Sequence, residues 1–271
     1  MKRLIPIFVS VCMALLPQMT LSADIQTILD HPDRNLSNKQ RDQYRNPAET
    51  LDFFGIQADM SVIEIWPGKG WYTEILAPWI KQGDGDFIAA GFPQGGPDWR
   101  QNIKAEYEAW LAADPHRFDE VKVIAFGPPD NWHLGPDNSV DAVLTFRNVH
   151  NWVKGDFADT VFSAMFDVLK PGGILGVTDH RATPETDIET MNNSGYLTEE
   201  LVIELAQEAG FILEAKSEIN SNPKDIKTYP AGVWTLPPTL RLGEQDREKY
   251  LGIGESDRIT LRFRKPQNLS N

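Results

Sequence analysis

The stretch Val62-Ile63-Glu64-Ile65-Trp66-Pro67-Gly68-Lys69-Gly70-Trp71-Tyr72-Thr73 decides the fold. An apolar run with an acid at its end enters a tight glycine turn, and an amphipathic segment from Trp71 to about Lys81 follows. That succession reads as strand, turn, helix. In a doubly wound sheet the turn after the first strand lies at the carboxyl rim, where ligands bind. Gly68 and Gly70 let a ligand approach the backbone where a side chain would block it. Glu64 can offset a cationic group on that ligand. A phosphate-binding P-loop needs Lys-Ser/Thr after its last glycine, whereas Trp71 follows Gly70. A dinucleotide fingerprint needs a third glycine where Thr73 stands. A nucleoside with a charged tail and no phosphate is the ligand type that remains, beside the blander reading of a turn with no ligand.

Outward from this turn, strands and helices alternate. Strands are expected at Ser61 to Ile65, Phe87 to Ala90, Val121 to Ala125, Val140 to Phe146, Ile174 to Thr178, Phe211 to Glu218 and Ile259 to Arg264. Helices are expected from Trp71 to about Lys81, with Pro78 bending or ending it, from Trp99 to Ala113, and from Phe157 to Leu169, which Pro171-Gly172-Gly173 stops. Thr198 caps a further helix that Gly210 closes. The pattern predicts an α/β doubly wound, mostly parallel seven-stranded sheet with helices on both faces. Residues 24–60 read as an N-terminal helical extension. There Ser37 is a candidate cap, and Asn46-Pro47-Ala48-Glu49 reads as a capping box before a helix that Gly55 ends. Residues 219–257, polar and holding Pro223, Pro230, Pro237 and Pro238, form an insert too long for an ordinary connection.

Several segments together resemble the class I S-adenosylmethionine-dependent methyltransferases. Besides the turn, these are Asp137-Asn138-Ser139-Val140-Asp141-Ala142-Val143-Leu144, Leu169-Lys170-Pro171-Gly172-Gly173-Ile174-Leu175, and Leu197 to Gly210 ending in Glu208-Ala209-Gly210-Phe211. The variant turn, with Asp257-Arg258 before the last strand, is similar to a group of bacterial methyltransferases of which some carry export signals. The resemblance implies a methyltransferase (a Rossmann-like fold) that binds S-adenosyl-L-methionine and acts on a small-molecule acceptor. A non-catalytic exported binding protein that keeps the fold is the alternative. The implied cofactor residues are Glu64, Trp66, Gly68, Gly70, Tyr72, Gly91, Phe126 and Asn148. Trp66 replaces the family's first glycine, and either offers its indole face to a sulfonium or packs the turn. The second strand ends Ala89-Ala90-Gly91-Phe92, without the acid that holds the ribose in many members.

Methyl transfer from a sulfonium needs positioning first and a base only where the acceptor must lose a proton. The fourth and fifth strands end in Thr145-Phe146-Arg147-Asn148-Val149-His150-Asn151-Trp152 and Thr178-Asp179-His180-Arg181. These ends share the rim with the glycine turn. His150 is the first candidate for catalysis and His180, oriented by Asp179, the second. Each can equally be a residue that ties loops together. No metal site is expected, since His31, His116, His133, His150 and His180 lack close pairing along the chain. A serine hydrolase is excluded by the absence of a Gly-x-Ser-x-Gly elbow.

The first residues have the composition of an export signal. Lys2 and Arg3 precede an apolar run from Leu4 to Leu16, and Leu21-Ser22-Ala23 offers a cleavage site before Asp24. The expected domains are therefore a signal peptide over 1–23 and a single unit over 24–271, placed in the periplasm or secreted with no stable membrane anchor. Loss of Lys2 and Arg3 would take the formal charge from −13 to about −15, which argues against nucleic acid as a partner. Cys12, the one cysteine, lies inside the signal, so disulfides, thiol nucleophiles and cysteine metal sites are not expected in the mature chain.

Overall fold

In the computed structural model, which describes residues 21–267, the decisive stretch forms the central strand β1 (Ser61–Ile65) of a seven-stranded sheet. The expected signal segment and Cys12 lie outside the described residues, apart from Leu21–Ala23 at the start of the first helix. The other strands are β2 (Asp86–Gly91), β3 (Lys122–Ala125), β4 (Val140–Phe146), β5 (Leu169–His180), β6 (Ile212–Lys216) and β7 (Arg258–Arg264). Their order is β3-β2-β1-β4-β5-β7-β6; β7 runs antiparallel to both of its neighbours and every other pairing is parallel. The chain therefore reverses its direction of growth at β1, with β2 on one side and β4 on the other. This is the switch point at which such sheets open a crevice.

Register brings the functional ends together. Ile65 pairs with Ala90 and with Thr145, Phe146 with Thr178, and His180 with Arg258. The exits of β1, β2, β4 and β5, and the entry of β7, thus share one rim.

The alternation of β1 splits its side chains between two cores. Ile63 and Ile65 join one cluster with Val143, Leu175, Val177 and Leu261, covered by α9 (Ala158–Val168) and α11 (Glu199–Glu208). Val62 joins the other with Leu144, Phe54 and Ile75, covered by α1 (Leu21–Leu29), α4 (Pro47–Phe54) and α5 (Thr73–Gln82). Fully burying one such side chain stabilises by about 1.5–3 kcal/mol. Through α1 and α4 the N-terminal extension supplies part of that second layer. Between them lie α2 (Leu36–Lys39) and α3 (Asp42–Arg45). The remaining helices are α6 (Asp98–Ala113), α7 (Pro115–Phe118), α8 (Val149–Lys154), α10 (Ile188–Ser194) and α12 (Arg247–Ile253).

Local chemistry departs from expectation at several points. Asn35, not Ser37, caps α2, accepting from the Ser37 N–H at 2.8 Å. Asn46 begins α4 in the left-handed region (φ 40°) and makes no side-chain cap, because its amide donates across to the Ile219 carbonyl at 2.7 Å. A tertiary bond has displaced the local capping box. α5 runs through Pro78 to Gln82. β5 starts at Leu169, immediately after α9, so Pro171-Gly172-Gly173 lies within the strand beside a register shift and does not stop the helix. Thr198 does cap α11, accepting from Leu201 N–H at 3.3 Å. The insert at 219–257 is ordered. Asp225, within it, accepts from the Tyr196 hydroxyl at 3.1 Å and from the Asp257 N–H at 2.8 Å, which ties the insert to the start of β7.

Candidate active site

The turn after β1 is held open by its neighbours. Trp66 N–H donates to the Ala90 carbonyl at 2.8 Å, and Asn148, at the exit of β4, donates to the Ile65 carbonyl at 2.8 Å. Trp66, Gly68 and Gly70 all have positive φ, at 47°, 61° and 80°. For Trp66 this is a strained conformation costing of order 1–3 kcal/mol. Its indole N–H compensates by donating to the Phe126 carbonyl at 2.9 Å. The ring packs against Phe92 (centroids 4.7 Å apart), Trp152 and Phe157, and the Arg100 guanidinium lies 5.7 Å from its centroid. The indole thus packs the turn, which was one of its two expected roles.

Beside the turn is a cavity of about 310 Å³, at the small end of ligand-pocket volumes, bounded by the turn, the exits of β2 and β3, and α6. Of the eight cofactor candidates, Trp66, Gly68 and Gly91 line it. A β-carbon added at Gly68 or Gly91 would meet no atom within 4 Å, so both positions leave backbone facing free space. Gly70 is a different case: a β-carbon there would sit 2.5 Å from the Trp110 ring, so this glycine serves packing.

The other four candidates stand back from the cavity. Glu64 is buried beneath the turn and accepts from the Thr73 hydroxyl at 2.7 Å. Burial raises its carboxyl to about 7, against the opposing pull of Thr73 and of Arg45. Tyr72 stacks on Phe146 at 3.4 Å on the opposite face of the sheet, where burial pushes its hydroxyl up to about 12. Phe126 is fully buried and contributes its carbonyl to Trp66. Asn148 braces the β1 exit. The cavity also presents Gln94, from the loop after β2, and Lys104 and Glu108, from α6, which sequence reading did not single out because only folding brings that loop and helix beside the turn. They are the polar groups available where β2 ends without an acid.

At the next strand ends, His150, Asp179 and His180 converge. Asp179 is fully buried, and one of its carboxylate oxygens meets His150 Nδ1 at 2.9 Å. The carboxylate also accepts from the backbone N–H groups of His150 (3.2 Å) and His180 (2.7 Å). Asp179 therefore orients His150. The His180 ring is held instead by the Ser256 hydroxyl, 2.5 Å from its Nδ1. This corrects the expected pairing of Asp179 with the His180 ring, and Ser256 was not foreseen because it lies in the insert. A carboxylate on Nδ1 leaves His150 Nε2 as the potential proton acceptor, with the Asn151 amide 3.1 Å away. Burial, and then the neighbouring His150, Arg147, Arg258 and Arg45, hold His180 well below the ordinary histidine range, so it is neutral at physiological pH.

Two histidines far apart along the chain meet here in space. Potential ligand atoms of His150, Asp179 and His180 lie within 4.8 Å of one another. Asp179 and His180 are adjacent in sequence, but His150 is thirty positions away and reaches them only through the β4–β5 pairing. The arrangement nevertheless fits a cation poorly. Asp179 already accepts three hydrogen bonds, and guanidinium groups act on His180 from three residues.

No family model and no curated protein sequence matches the chain. Solved structures do. A SAM-dependent methyltransferase from Aquifex aeolicus superposes with a TM-score of 0.55 over 90% of this chain and 98% of its own, at 15% identity. SAM-dependent methyltransferases from Methanosarcina mazei give 0.53 over 80% and 98%, at 12% identity. The [4+2]-cyclase SpnF gives 0.56 over 85% and 83%, at 18% identity. The fold is the Rossmann-like fold of class I methyltransferases. At these identities the likeness concerns the fold, and SpnF illustrates that one fold can carry different chemistry.

Proposed function

We propose that the protein binds S-adenosyl-L-methionine in the cavity beside Gly68 and transfers its methyl group to a small-molecule acceptor held near His150. The observation that carries this reading is the pairing of an open cavity at the β1 switch point with a buried His150–Asp179 dyad at the adjoining strand ends. Gly68 and Gly91 leave backbone open to the cavity, and Gln94 and Glu108, which line it, would offer partners to ribose hydroxyls. The cofactor would supply the electrophilic methyl group. His150, oriented by Asp179, would accept the acceptor's proton. Asn148 fixes the β1 and β4 exits relative to each other, which sets the line of approach. We further propose export, on the strength of the segment from Lys2 to Ala23. Among the described residues no helix is long and apolar enough to cross a membrane.

Calorimetry with S-adenosylhomocysteine tests the reading, with one-site binding expected. Absence of binding would sink it. Binding without methyl transfer to any component of a small-molecule extract would select the alternative, an exported binding protein that keeps the fold.

A further inference from the structure

Arg41 and Arg45 from the N-terminal extension and Arg258 from the entry of β7 converge on one carboxylate. Glu255 accepts from Arg41 Nε at 2.6 Å, from Arg45 Nε at 3.1 Å and from Arg258 Nη2. Arg45, Arg258 and Glu255 are 3%, 3% and 2% exposed. Arg147, at the exit of β4, adds a fourth guanidinium. Its field reaches Glu255, Arg45 and His180, and its own side chain makes no hydrogen bond or ion pair among the described residues. Arg147 also sits in the left-handed region, at φ 62°.

Three guanidiniums thus share one carboxylate, and a fourth, Arg147, acts on it without a hydrogen bond or ion pair among the described residues. The other nearby acids are engaged elsewhere or uncharged in part: Asp179, whose charge also reaches Arg147, pairs with His150, Asp257 with Arg181 and Lys227, and Asp42 with Arg34, while burial raises Glu64, beside Arg45, to about 7. Donors are left over as well. Arg41 Nη2, Arg45 Nη2, Arg147 Nε and Arg258 Nε are buried without partners. Uncompensated buried cations are costly, and unpaired buried N–H groups add to the cost. This surplus occurs in a chain whose formal net charge is −13, so it is local and not a reflection of composition.

We propose that this cluster binds an oxyanion group, carboxylate or phosphate, carried by the methyl acceptor. The proposal rests on the methyl-transfer reading for the word acceptor, and on the cluster alone for the anion. Position supports the assignment. The cavity beside Gly68 is built by β1, β2, β3 and α6, whereas the arginines come from the exit of β4, the entry of β7 and the N-terminal extension, on the side where His150 and His180 stand. An anion anchored there would place the rest of the acceptor against the His150 dyad. Guanidinium donors suit planar carboxylates and phosphates, to which they offer paired N–H groups.

The test uses thermal melts of the purified protein in inorganic phosphate and, separately, malonate, with chloride at matched ionic strength as the reference. One or both oxyanions should raise Tm saturably, by roughly 3–6 °C at ten times the dissociation constant. The anion that acts tells a phosphate-bearing acceptor from a carboxylate-bearing one. Arg147→Gln should weaken that response at least ~10-fold. Without anion, its Tm should be close to that of the wild type, since the Arg147 side chain makes no hydrogen bond or ion pair among the described residues and its Nε is buried without a partner. Arg117→Gln, whose ion pair with Asp114 lies at α7 outside the cluster, should keep the full response. Equal responses to chloride and both oxyanions, or an undiminished response in Arg147→Gln, would overturn the proposal. Calorimetry with S-adenosylhomocysteine keeps the two readings separable. Arg147→Gln should bind it as the wild type does, whereas a large loss would assign the arginines to the cofactor's own carboxylate and end the proposal. A protein that responds to oxyanions but not to S-adenosylhomocysteine would refute methyl transfer and leave the anion site standing.

Discussion

Replacing Gly68 by leucine separates the cost of the backbone from the loss of the ligand. Gly68 has φ +61° and a β-carbon there meets nothing within 4 Å, so the substitution brings no clash with the protein. What remains is the left-handed conformation, which costs an L-residue roughly 1–2 kcal/mol. At about 2–4 °C per kcal/mol for a chain of this size, Tm should fall by about 2–8 °C with the fold retained. The side chain would project into the cavity, and overlap of that kind costs a ligand about 1–3 kcal/mol, or roughly 5- to 150-fold in affinity. Gly70→Leu makes the contrast. Its β-carbon would lie 2.5 Å from Trp110, so stability should suffer more than at Gly68. Calorimetry with S-adenosylhomocysteine and urea denaturation read the two effects independently. A Gly68→Leu protein that binds S-adenosylhomocysteine within twofold of a binding wild type would refute the placement of the ligand.

Three more outcomes are expected. Glu64, raised by burial to about 7, favours the protonated folded state; its contribution to stability is full below about pH 4.5 and is lost as pH rises through about 7. The amount is on the order of 3 kcal/mol, so urea denaturation at pH 5 and pH 8 should show Glu64→Gln gaining on the wild type with pH, and parallel profiles would contradict the burial argument. His150→Gln should lower turnover by roughly 10²- to 10⁴-fold with S-adenosylhomocysteine affinity unchanged, measured on any acceptor found by methyl-label transfer; full activity would remove His150 from the chemistry. Trp66→Phe deprives the Phe126 carbonyl of its donor and should cost about 1–3 kcal/mol in denaturation. A neutral result there would mean that the carbonyl finds another partner.

Much of the architecture was legible along the chain. β1 and β4 have the boundaries that apolar runs and turn residues gave them, and the other strands shifted by a few residues, because strand periodicity and glycine or proline punctuation act locally. The exception is the start of β5, where pairing with β4 extends the strand across a Pro-Gly-Gly that reads locally as a stop. Gly68 at an open turn and His150, Asp179 and His180 at strand ends were likewise legible, since the rim follows from topology.

What the sequence by itself determined was the alternation of strand and helix, and with it the rim at which chemistry must lie. Pairing between distant segments decided the rest. Asp179 serves His150 and not the ring of its neighbour, Gly70 answers to Trp110, and three arginines, at positions 41, 45 and 258, meet at Glu255. Periodicity is a property of a few consecutive residues. Charge balance and side-chain contact depend on distances in space, and those exist only once the sheet has closed.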